Sequence, residues 1–313
     1  MSFDIVAVGH VINETIIFPG KDARSVLGSP PAYSMACAAS IGANVGIFTC
    51  IGSDYPQKLL EPLERLGVDL QGAIQRGDSS TNNLLTYASD GSKTIEYLSR
   101  ALPLEADDLP SEYDTAKVIY VCPMDWDISA DSVEKLAEHP GLLGCDLGGF
   151  GGAHSPPASL PQMVRDPDPV NRIIAASDIV KASDEDCWRL TGDVSLDLKS
   201  FAREWLGLGA KVAIITLGSQ GAKILTPDKE YDFPGLLGKP IDVTGGGDSF
   251  MGGFLVNYIA SGDPGEAGLY GAATALFVIE GTGGVTPRRM PSSQDVASRL
   301  EQARRQMGPR LSI

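Results

Sequence analysis

The chain has 313 residues, of which 43% are hydrophobic and 21% charged, and its formal net charge at pH 7 is −15. This composition is typical of a soluble globular protein and excludes a disordered chain. The length suits one large α/β domain, and we expect a single domain over residues 1–313. The excess of acidic residues argues against a nucleic-acid partner, because phosphate contacts need clustered Lys and Arg.

The sequence predicts a cytoplasmic protein without a membrane span. Asp4 stands where a signal peptide needs a basic region, and no apolar stretch approaches the ~18–20 residues of a spanning helix. Cysteines lie far apart and mostly within apolar runs, at positions 37, 50, 122, 145 and 187. This spacing predicts buried, reduced thiols rather than disulfides or a metal site.

Short runs rich in Val and Ile alternate along the chain with longer amphipathic segments. The short runs predict strands at Phe3–Gly9, Val45–Gly52, Lys117–Cys122, Leu142–Leu147, Ile173–Val180 and Val212–Leu217. The amphipathic segments predict helices at Ser34–Ile41, Pro56–Leu66, Ser129–Glu138, Glu185–Thr191 and Leu196–Leu206. The proline-rich stretch His154–Asn171 predicts an irregular connection. Together these patterns predict an α/β fold with a doubly wound parallel sheet that helices flank on both faces.

Two segments do not fit this alternation. Val11–Phe18 is extended and β-branched, and Thr81–Ser99 has β-type residues on both sides of a turn signal at 89–92. Such antiparallel pieces predict a small second sheet. We expect a β-sheet lid built from about residues 11–33 and 81–99. A surface hairpin without function is the alternative.

A glycine-rich turn carries the clearest chemical signal. Asp242-Val243-Thr244 runs into Gly245, Gly246 and Gly247, and Asp248 then opens a helix-like segment to about Ala260. Glycines permit positive φ and close approach of a ligand, and the free N–H groups of the helix start would bind an anion without Lys or Arg. Asp248 is either an N-cap carboxylate or a general base that faces the bound group.

Competing motifs are excluded by single residues. A dinucleotide-binding GxGxxG starting in this turn would need Gly at position 250, which is Phe250. A Walker A loop at Gly238-Lys239 would need Ser or Thr at the next position, which is Pro240. A nucleophile elbow around Ser249 would need Gly at Met251. The remaining interpretation is a glycine anion hole followed by a carboxylate.

The chain resembles the ribokinase family of sugar and nucleoside kinases, also called the phosphofructokinase B family. The family signature Asp-Thr-Thr-Gly-Ala-Gly-Asp is similar to Asp242–Asp248. Further similar segments follow in the family order at Ala7–Gly9, Leu27–Ser29, Ala39–Gly42, Ile51–Asp54, Leu66–Asp69 and Thr216–Ala222. The resemblance covers almost the whole chain. It implies a Rossmann-like domain with a β lid, which binds Mg²⁺ and ATP and phosphorylates a hydroxyl.

The resemblance also implies roles for residues that would bind the phosphoryl donor. Asp248 would be the catalytic base, and the three glycines before it would be the anion hole. ATP would be bound by Lys181, Ser183, Asp186, Thr216, Gly218 and Gly221.

Two of these residues replace the family's Asn-x-x-Glu element. Asp186 retains a carboxylate that can hold Mg²⁺ through water, whereas Ser183 replaces the amide. A helix start capped by Ser183, with acidic residues in its first turn, is the alternative.

Many members of the family bind a monovalent cation beside the anion hole. They use the first Asp of the signature and a late glycine-containing loop. By resemblance, Asp242 and Gly281–Gly284 are candidate ligands for K⁺.

Departures from the family pattern are concentrated where the acceptor would bind. The candidate substrate-binding residues are Asn13, Glu14, Gly28, Ser29 and Tyr33. Glu14 replaces the usual Asp, Ser29 replaces the second residue of a Gly-Gly pair, and Tyr33 replaces the usual Asn. An aromatic wall at Tyr33 suits a ring, whether a sugar, an inositol or a base.

These features lead us to expect an ATP-dependent kinase that acts on a hydroxyl of a small sugar or polyol, including an inositol-like acceptor. A nucleoside kinase of the same family is an alternative, and so is a non-catalytic relative that binds a metabolite. An open edge of the lid is also compatible with a homodimer.

Overall fold

The computed structural model describes residues 2–20, 22–88, 93–150 and 167–307. The strands are β1 (Ile5–Val8), β2 (Ile12–Ile17), β3 (Arg24–Gly28), β4 (Val45–Ile51), β5 (Ala73–Gln75), β6 (Asn82–Tyr87), β7 (Lys93–Ser99), β8 (Val118–Val121), β9 (Leu142–Asp146), β10 (Ile179–Ser183), β11 (Val212–Thr216), β12 (Ala222–Leu225) and β13 (Glu230–Phe233). The helices are α1 (Pro30–Ser40), α2 (Glu61–Arg65), α3 (Ala130–Leu136), α4 (Asp168–Ala176), α5 (Asp184–Thr191), α6 (Leu198–Leu208), α7 (Gly246–Ser261), α8 (Pro264–Ile279) and α9 (Ser293–Met307).

The main sheet has, within the described ranges, nine strands in the order β13-β12-β11-β10-β9-β8-β1-β4-β5. The strands from β11 to β5 are parallel, and β12 and β13 extend one edge in antiparallel pairing. Strand β1 pairs with β4 along one edge and with β8, which comes later in the chain, along its other edge. The crevice between β1 and β8, at their carboxyl ends, is therefore the switch point where open α/β sheets bind ligands.

Helices cover both faces of this sheet. Successive residues of a strand point to opposite faces, so each strand contributes apolar side chains to two cores. In β1, Ile5 and Ala7 pack in one core with residues of α1, α7 and α8, whereas Val6 and Val8 pack in a second core with residues of α3, α4 and α6. All four side chains are fully buried. The predicted doubly wound α/β architecture is confirmed.

A separate four-stranded sheet, which we call the small sheet, has the order β3-β2-β6-β7. β2 pairs with β6 in parallel, and the two outer pairs are antiparallel. The predicted extended segments at 11–18 and 81–99 thus form strands of one sheet, while the turn predicted at 89–92 lies outside the described residues. Helix α1 starts at Pro30, so the first segment of the small sheet ends at Gly28 and does not continue to residue 33.

The predicted strand Ile173–Val180 is wrong. Its first half is the end of α4, and its second half is the start of β10. Buried Val170, Ile173 and Ile174 have helical spacing on one face of α4, and short apolar runs do not distinguish a helix from a strand. The predicted irregular stretch 154–171 is also wrong from residue 168 onward, where α4 begins, and residues 154–166 lie outside the described ranges.

The predicted burial of the cysteines is confirmed, since all five are buried, and none is in a disulfide in this structure. No helix of the described ranges is both long and apolar enough to cross a membrane.

Ser29 has a backbone conformation that normally requires glycine. Its φ of 109° and ψ of 156° lie in a region that residues with a Cβ adopt only under strain. The side chain is buried, with 6% of its surface exposed, and Oγ has no hydrogen-bond partner among the described residues. Helix α1 begins directly after Ser29, and its first hydrogen bond is from the Tyr33 N–H to the Ser29 carbonyl oxygen at 3.1 Å.

We predict that Ser29→Gly stabilises the protein. The strain of about 1–3 kcal/mol exceeds the extra entropy of glycine in the unfolded chain, so the free energy of unfolding should rise by about 1 kcal/mol. Chemical denaturation measures this change. Ser29→Ala is the matched control, because it removes the hydroxyl but keeps the strained Cβ. An equal rise in the Ala variant would contradict the explanation by strain.

Candidate active site

Helix α7 begins at the carboxyl edge of the main sheet and is fixed by close contact with α1 and α8. A Cβ on Gly252 would lie 2.4 Å from the Ser34 carbonyl oxygen of α1, so a side chain has no room there. The N-cap of α7 is Gly245, in the left-handed conformation with φ 79°. A Cβ on this residue would lie 2.5 Å from the ring of Tyr33. The turn therefore needs glycine for conformation and for space, and it presents the free N–H groups of α7 to a ligand.

Lys181, in the middle of β10 and in register with the last residue of β9, supplies a fixed positive charge beside this helix start. Its Nζ lies 2.8 Å from Asp146 Oδ2 and would lie 3.2 Å from a Cβ on Gly247. Burial alone would lower the pKa of Lys181, but the carboxylates of Asp146, Asp186 and Asp248 outweigh burial and raise it. The lysine is therefore protonated at neutral pH.

Asp248 is the third residue of α7 and is half-buried. Because Gly245 occupies the N-cap position, the interpretation of Asp248 as an N-cap carboxylate is wrong. Its charge acts on both sides of the turn: it helps to raise the pKa of Lys181 and, after the larger effect of burial, that of Tyr33. This carboxylate therefore interacts electrostatically with both the lysine and the tyrosine, at the start of α7.

Asp146 and Asp186 face each other across Gly148. A Cβ on Gly148 would lie 3.2 Å from Asp146 Oδ1 and 3.1 Å from Asp186 Oδ2. Among the residues that the structure describes, no group of three or more His, Cys, Asp or Glu side chains could hold a metal ion. Two carboxylates together with phosphate oxygens and water are nevertheless a donor set that suits Mg²⁺. Asp146 was not identified from the sequence, although an acidic residue at the carboxyl end of a buried strand indicates such a site.

Ser183 and Asp186 form a capping box at the start of α5. Ser183 Oγ accepts a hydrogen bond from the Asp186 N–H at 3.1 Å, and Asp186 Oδ2 accepts one from the Ser183 N–H at 2.8 Å. The predicted helix cap is therefore present. It holds the Asp186 carboxylate in a fixed orientation beside Lys181.

Thr216 ends β11 directly beside Ser183 of β10, with which it is in register. Gly218 follows with φ 54°, and open space surrounds the position of its missing side chain. Gly221 is different, since its Cβ would lie 1.9 Å from the Phe233 carbonyl oxygen. Thr216 and Gly218 thus lie at the edge where a nucleotide would bind, whereas Gly221 packs against β13.

Two of the candidate acceptor residues, Asn13 and Glu14, are neighbours on β2 and point to opposite faces of the small sheet. Glu14 is buried on the inner face of the small sheet, where a Cβ on Gly28 would lie 3.1 Å from its Oε2. Asn13 points to the opposite face, where its Oδ1 accepts a hydrogen bond from Ser25 Oγ. Glu14, Gly28 and Ser29 therefore come together, and Asn13 does not share their pocket.

Glu14 continues into a row of side chains across the inner face of the small sheet. It pairs in register with Asn83 of β6, which pairs with Tyr97 of β7. Asn83 is 1% exposed. Only Glu14 of this row was identified from the sequence, because the pairing of β2 with β6 joins residues that are far apart in the chain.

The row ends at a cavity of about 120 Å³ whose walls include His10, Tyr97, Met124, Trp126 and Asp127. Asp127 Oδ2 accepts backbone N–H bonds from His10 at 2.8 Å and from Met124 at 3.0 Å, which ties the loop after β8 to the end of β1. Trp126 has a positive φ of 59°. Strained backbone of this kind is concentrated at functional sites.

The small sheet contacts both the glycine turn and the loop after α8. The Tyr87 hydroxyl of β6 lies 2.7 Å from Thr244 Oγ1, and the Val285 N–H of the loop donates to the Leu27 carbonyl at 3.0 Å. These contacts fix the small sheet, with the candidate acceptor residues Glu14 and Gly28, relative to the turn before α7.

Tyr33 and Asp242 meet at a residue that the sequence analysis missed. The Tyr33 hydroxyl accepts a hydrogen bond from Arg289 Nη1 at 2.7 Å, and Arg289 Nη2 lies 3.5 Å from Asp242 Oδ2. Arg289 is 3% exposed. Nothing in the sequence distinguishes it from its exposed neighbour Arg288.

Sequence comparison with known proteins identifies the family of this chain. The family model described as pfkB family carbohydrate kinase matches residues 3–290. Cytidine kinase of Thermococcus kodakarensis is 30% identical over 260 residues, which cover 82% of this chain and 88% of that protein. Nucleoside kinase of Methanocaldococcus jannaschii is 25% identical over 96% of this chain and 97% of its own length.

A solved structure shows the same fold. Arabidopsis thaliana ribokinase complexed with ribose and ATP superposes with a TM-score of 0.79 at 20% identity, over 96% of this chain and 99% of the ribokinase chain. The match of the family model over most of the sequence decides the assignment. The chain belongs to the pfkB family of carbohydrate kinases, and it is a phosphotransferase that acts on a hydroxyl group of a sugar or nucleoside.

Proposed function

We propose that this protein is an ATP-dependent nucleoside kinase that phosphorylates a hydroxyl of the ribose moiety. The names of the two relatives, cytidine kinase and nucleoside kinase, support a nucleoside as acceptor. The ATP bound in the ribokinase of the same fold supports ATP as donor.

The donor phosphates would bind at the start of α7. Backbone N–H groups there and the protonated Lys181 supply hydrogen-bond donors for the phosphates. The nearby carboxylates of Asp146, Asp186 and Asp248 leave a net negative charge that a bound cation would offset. Asp146 and Asp186 are the residues that would hold Mg²⁺. When bound, Mg²⁺ neutralises charge that develops on the phosphate oxygens.

Asp248 would act as the general base. The acceptor oxygen forms a bond to the γ-phosphorus while the bond to the β-γ bridging oxygen breaks, and ADP leaves with that oxygen. The hydroxyl proton passes to the Asp248 carboxylate. Lys181 and the N–H groups of α7 hold the transferred group in place, which is how most phosphotransferases lower the barrier.

The single observation that carries the choice of acceptor is the row Glu14–Asn83–Tyr97. Glu14 and Asn83 offer a carboxylate and an amide to the ribose diol. Two strand spacings of ~4.8 Å separate Glu14 from Tyr97, so the row spans roughly 10 Å from the sugar position to the cavity. This length suits a ribose joined to a base better than a single sugar ring. The faces of Tyr97 and Trp126 suit a flat aromatic base.

A free sugar or polyol would use Glu14 and Asn83 but leave the aromatic cavity vacant. For this reason the cavity favours the nucleoside over the sugar acceptor that the sequence alone led us to expect. A non-catalytic relative is less consistent with a site in which Asp248 and Lys181 are both present and adjacent.

ADP release from Mg–ATP tests the acceptor. With separate pools of nucleosides, pentoses, hexoses and myo-inositol, we expect turnover with a nucleoside, and a cytidine-containing pool is the first choice. Turnover confined to a sugar or inositol pool would overturn the proposal.

Trp126→Leu should raise the KM for the nucleoside about tenfold, because base stacking contributes ~1–3 kcal/mol. Leu98→Ala, on the exposed outer face of β7, is the control and should leave KM unchanged.

Asp248→Asn should lower kcat by at least ~10²-fold, because the amide cannot accept the proton. ATP binding, measured by calorimetry, should be retained, since the variant keeps the shape of the helix start. A variant with near-normal turnover would exclude Asp248 as the base.

Lys181→Met should also lower kcat by ~10²-fold or more, because it removes a fixed positive charge from the transferred group. The matched control is Lys211→Met at the opposite end of the neighbouring strand, where the lysine pairs with Asp178 and is 68% exposed. Circular dichroism checks that both variants are folded. Equal kinetics in the two variants would show that Lys181 has no role in phosphoryl transfer.

A further inference from the structure

The Arg289 side chain is enclosed by oxygen atoms beside the glycine turn. A guanidinium has five N–H donors, and here each has an acceptor. Nε donates to the Val278 carbonyl at 3.0 Å, and Nη1 donates to the Tyr33 hydroxyl at 2.7 Å and the Gly284 carbonyl at 3.3 Å. Nη2 donates to the carbonyls of Asp242 and Thr244, both at 3.0 Å. The side chain is 2% exposed.

The chemistry of these neighbours is that of a site for a monovalent cation. Four are neutral backbone carbonyls, and the Asp242 carboxylate, 3.5 Å from Nη2, supplies one compensating negative charge. Rings of carbonyl oxygens are how proteins replace the hydration shell of K⁺. They come from the segment before α7, from the end of α8 and from the loop after α8. The first and last of these contain Asp242 and Gly281–Gly284, to which the resemblance assigned K⁺.

A K⁺ ion does not fit beside Arg289. The carbonyl oxygens that would bind it already accept hydrogen bonds from the guanidinium, and a second cation would lie against a fixed positive charge in a buried site. The expectation that Asp242 binds K⁺ therefore disagrees with the structure, in which Asp242 pairs with an arginine.

We infer that Arg289 is a built-in cation that replaces a monovalent metal ion beside the anion hole, so that phosphoryl transfer by this protein does not depend on K⁺ or Na⁺. The inference rests on the kinase activity proposed above. Arg289 is a positioning residue, because it contacts the turn and not the reacting atoms.

Peptide geometry explains how Arg289 acts on the anion hole. In a planar trans peptide the N–H points away from the carbonyl, so fixing the Thr244 carbonyl on Arg289 directs the Gly245 N–H to the opposite side. The same arginine holds the hydroxyl of Tyr33, whose ring lies against Gly245, and the Gly284 carbonyl beside the strand that carries Gly28. One side chain thereby sets the turn relative to the acceptor pocket.

The first test uses the wild-type protein. ADP release is measured with its best acceptor in tetramethylammonium, Na⁺ and K⁺ salts at constant ionic strength. We expect rates that agree within about twofold, which is well below the ~5–150-fold by which a bound effector typically changes the affinity for a second ligand. Activation of the wild type by K⁺ beyond about twofold would overturn the inference.

The second test removes the arginine. Arg289→Ala should lose ~10²-fold in kcat in tetramethylammonium, because a displaced turn misplaces the reacting groups. K⁺ or guanidinium ions should restore part of this activity by entering the vacated oxygen cage. Arg288→Ala is the matched control, since this exposed neighbour should show neither the loss nor the rescue. Full activity of Arg289→Ala without any added cation would also overturn the inference.

Thermal unfolding separates this inference from the proposed kinase function, because it needs neither donor nor acceptor. The Tm of the wild type should be the same in K⁺ and tetramethylammonium salts, whereas the Tm of Arg289→Ala should rise with K⁺ or guanidinium. A wild-type Tm that rises with K⁺ alone would overturn the inference even if no acceptor were found. If Arg289→Ala does not fold, Arg289→Lys keeps a cation in the cage and should retain cation-independent activity below the wild-type level.

Discussion

The close packing of helix α7 between α1 and α8 is the constraint on which the active site depends. Gly252 lies so near the Ser34 carbonyl that the helix cannot shift toward or away from α1 without a clash or a void. The position of the helix start follows from this contact. Gly245, the N-cap, then lies against Tyr33 of the same α1, so one helix pair sets both the turn before α7 and the position of Tyr33.

Two buried cations, Lys181 and Arg289, lie on either side of the start of α7. Lys181 contacts it from the main sheet, and Arg289 donates a hydrogen bond to the Thr244 carbonyl in the turn before the helix. Each is paired with a buried aspartate, Asp146 and Asp242 respectively, which compensates the charge. In a chain of formal net charge −15, the proposed function places the phosphates of the donor next to the first of these cations.

Much of the geometry of the glycine turn was readable from local sequence. The run Gly245–Asp248 predicted an anion hole with an adjacent carboxylate, because positive φ and free helix N–H groups are properties of neighbouring residues. The same locality explains the capping box at Ser183. Where a short run was ambiguous, as at Ile173–Val180, local pattern failed, since apolar residues at helical spacing also satisfy a strand pattern.

The alternation of parallel strands and helices, the family, and the residues of the glycine turn could be read from the sequence, because each is encoded in periodicity or in adjacent residues. Which distant residues share a site depends on how the chain folds. The pairing of β2 with β6 placed Asn83 beside Glu14, and the folding of the loop after α8 brought Arg289 to Asp242. These contacts join residues far apart in the chain, and no local spacing encodes them. An arginine in a sequence is an exposed cation by default, and only burial among carbonyl oxygens makes it part of a site.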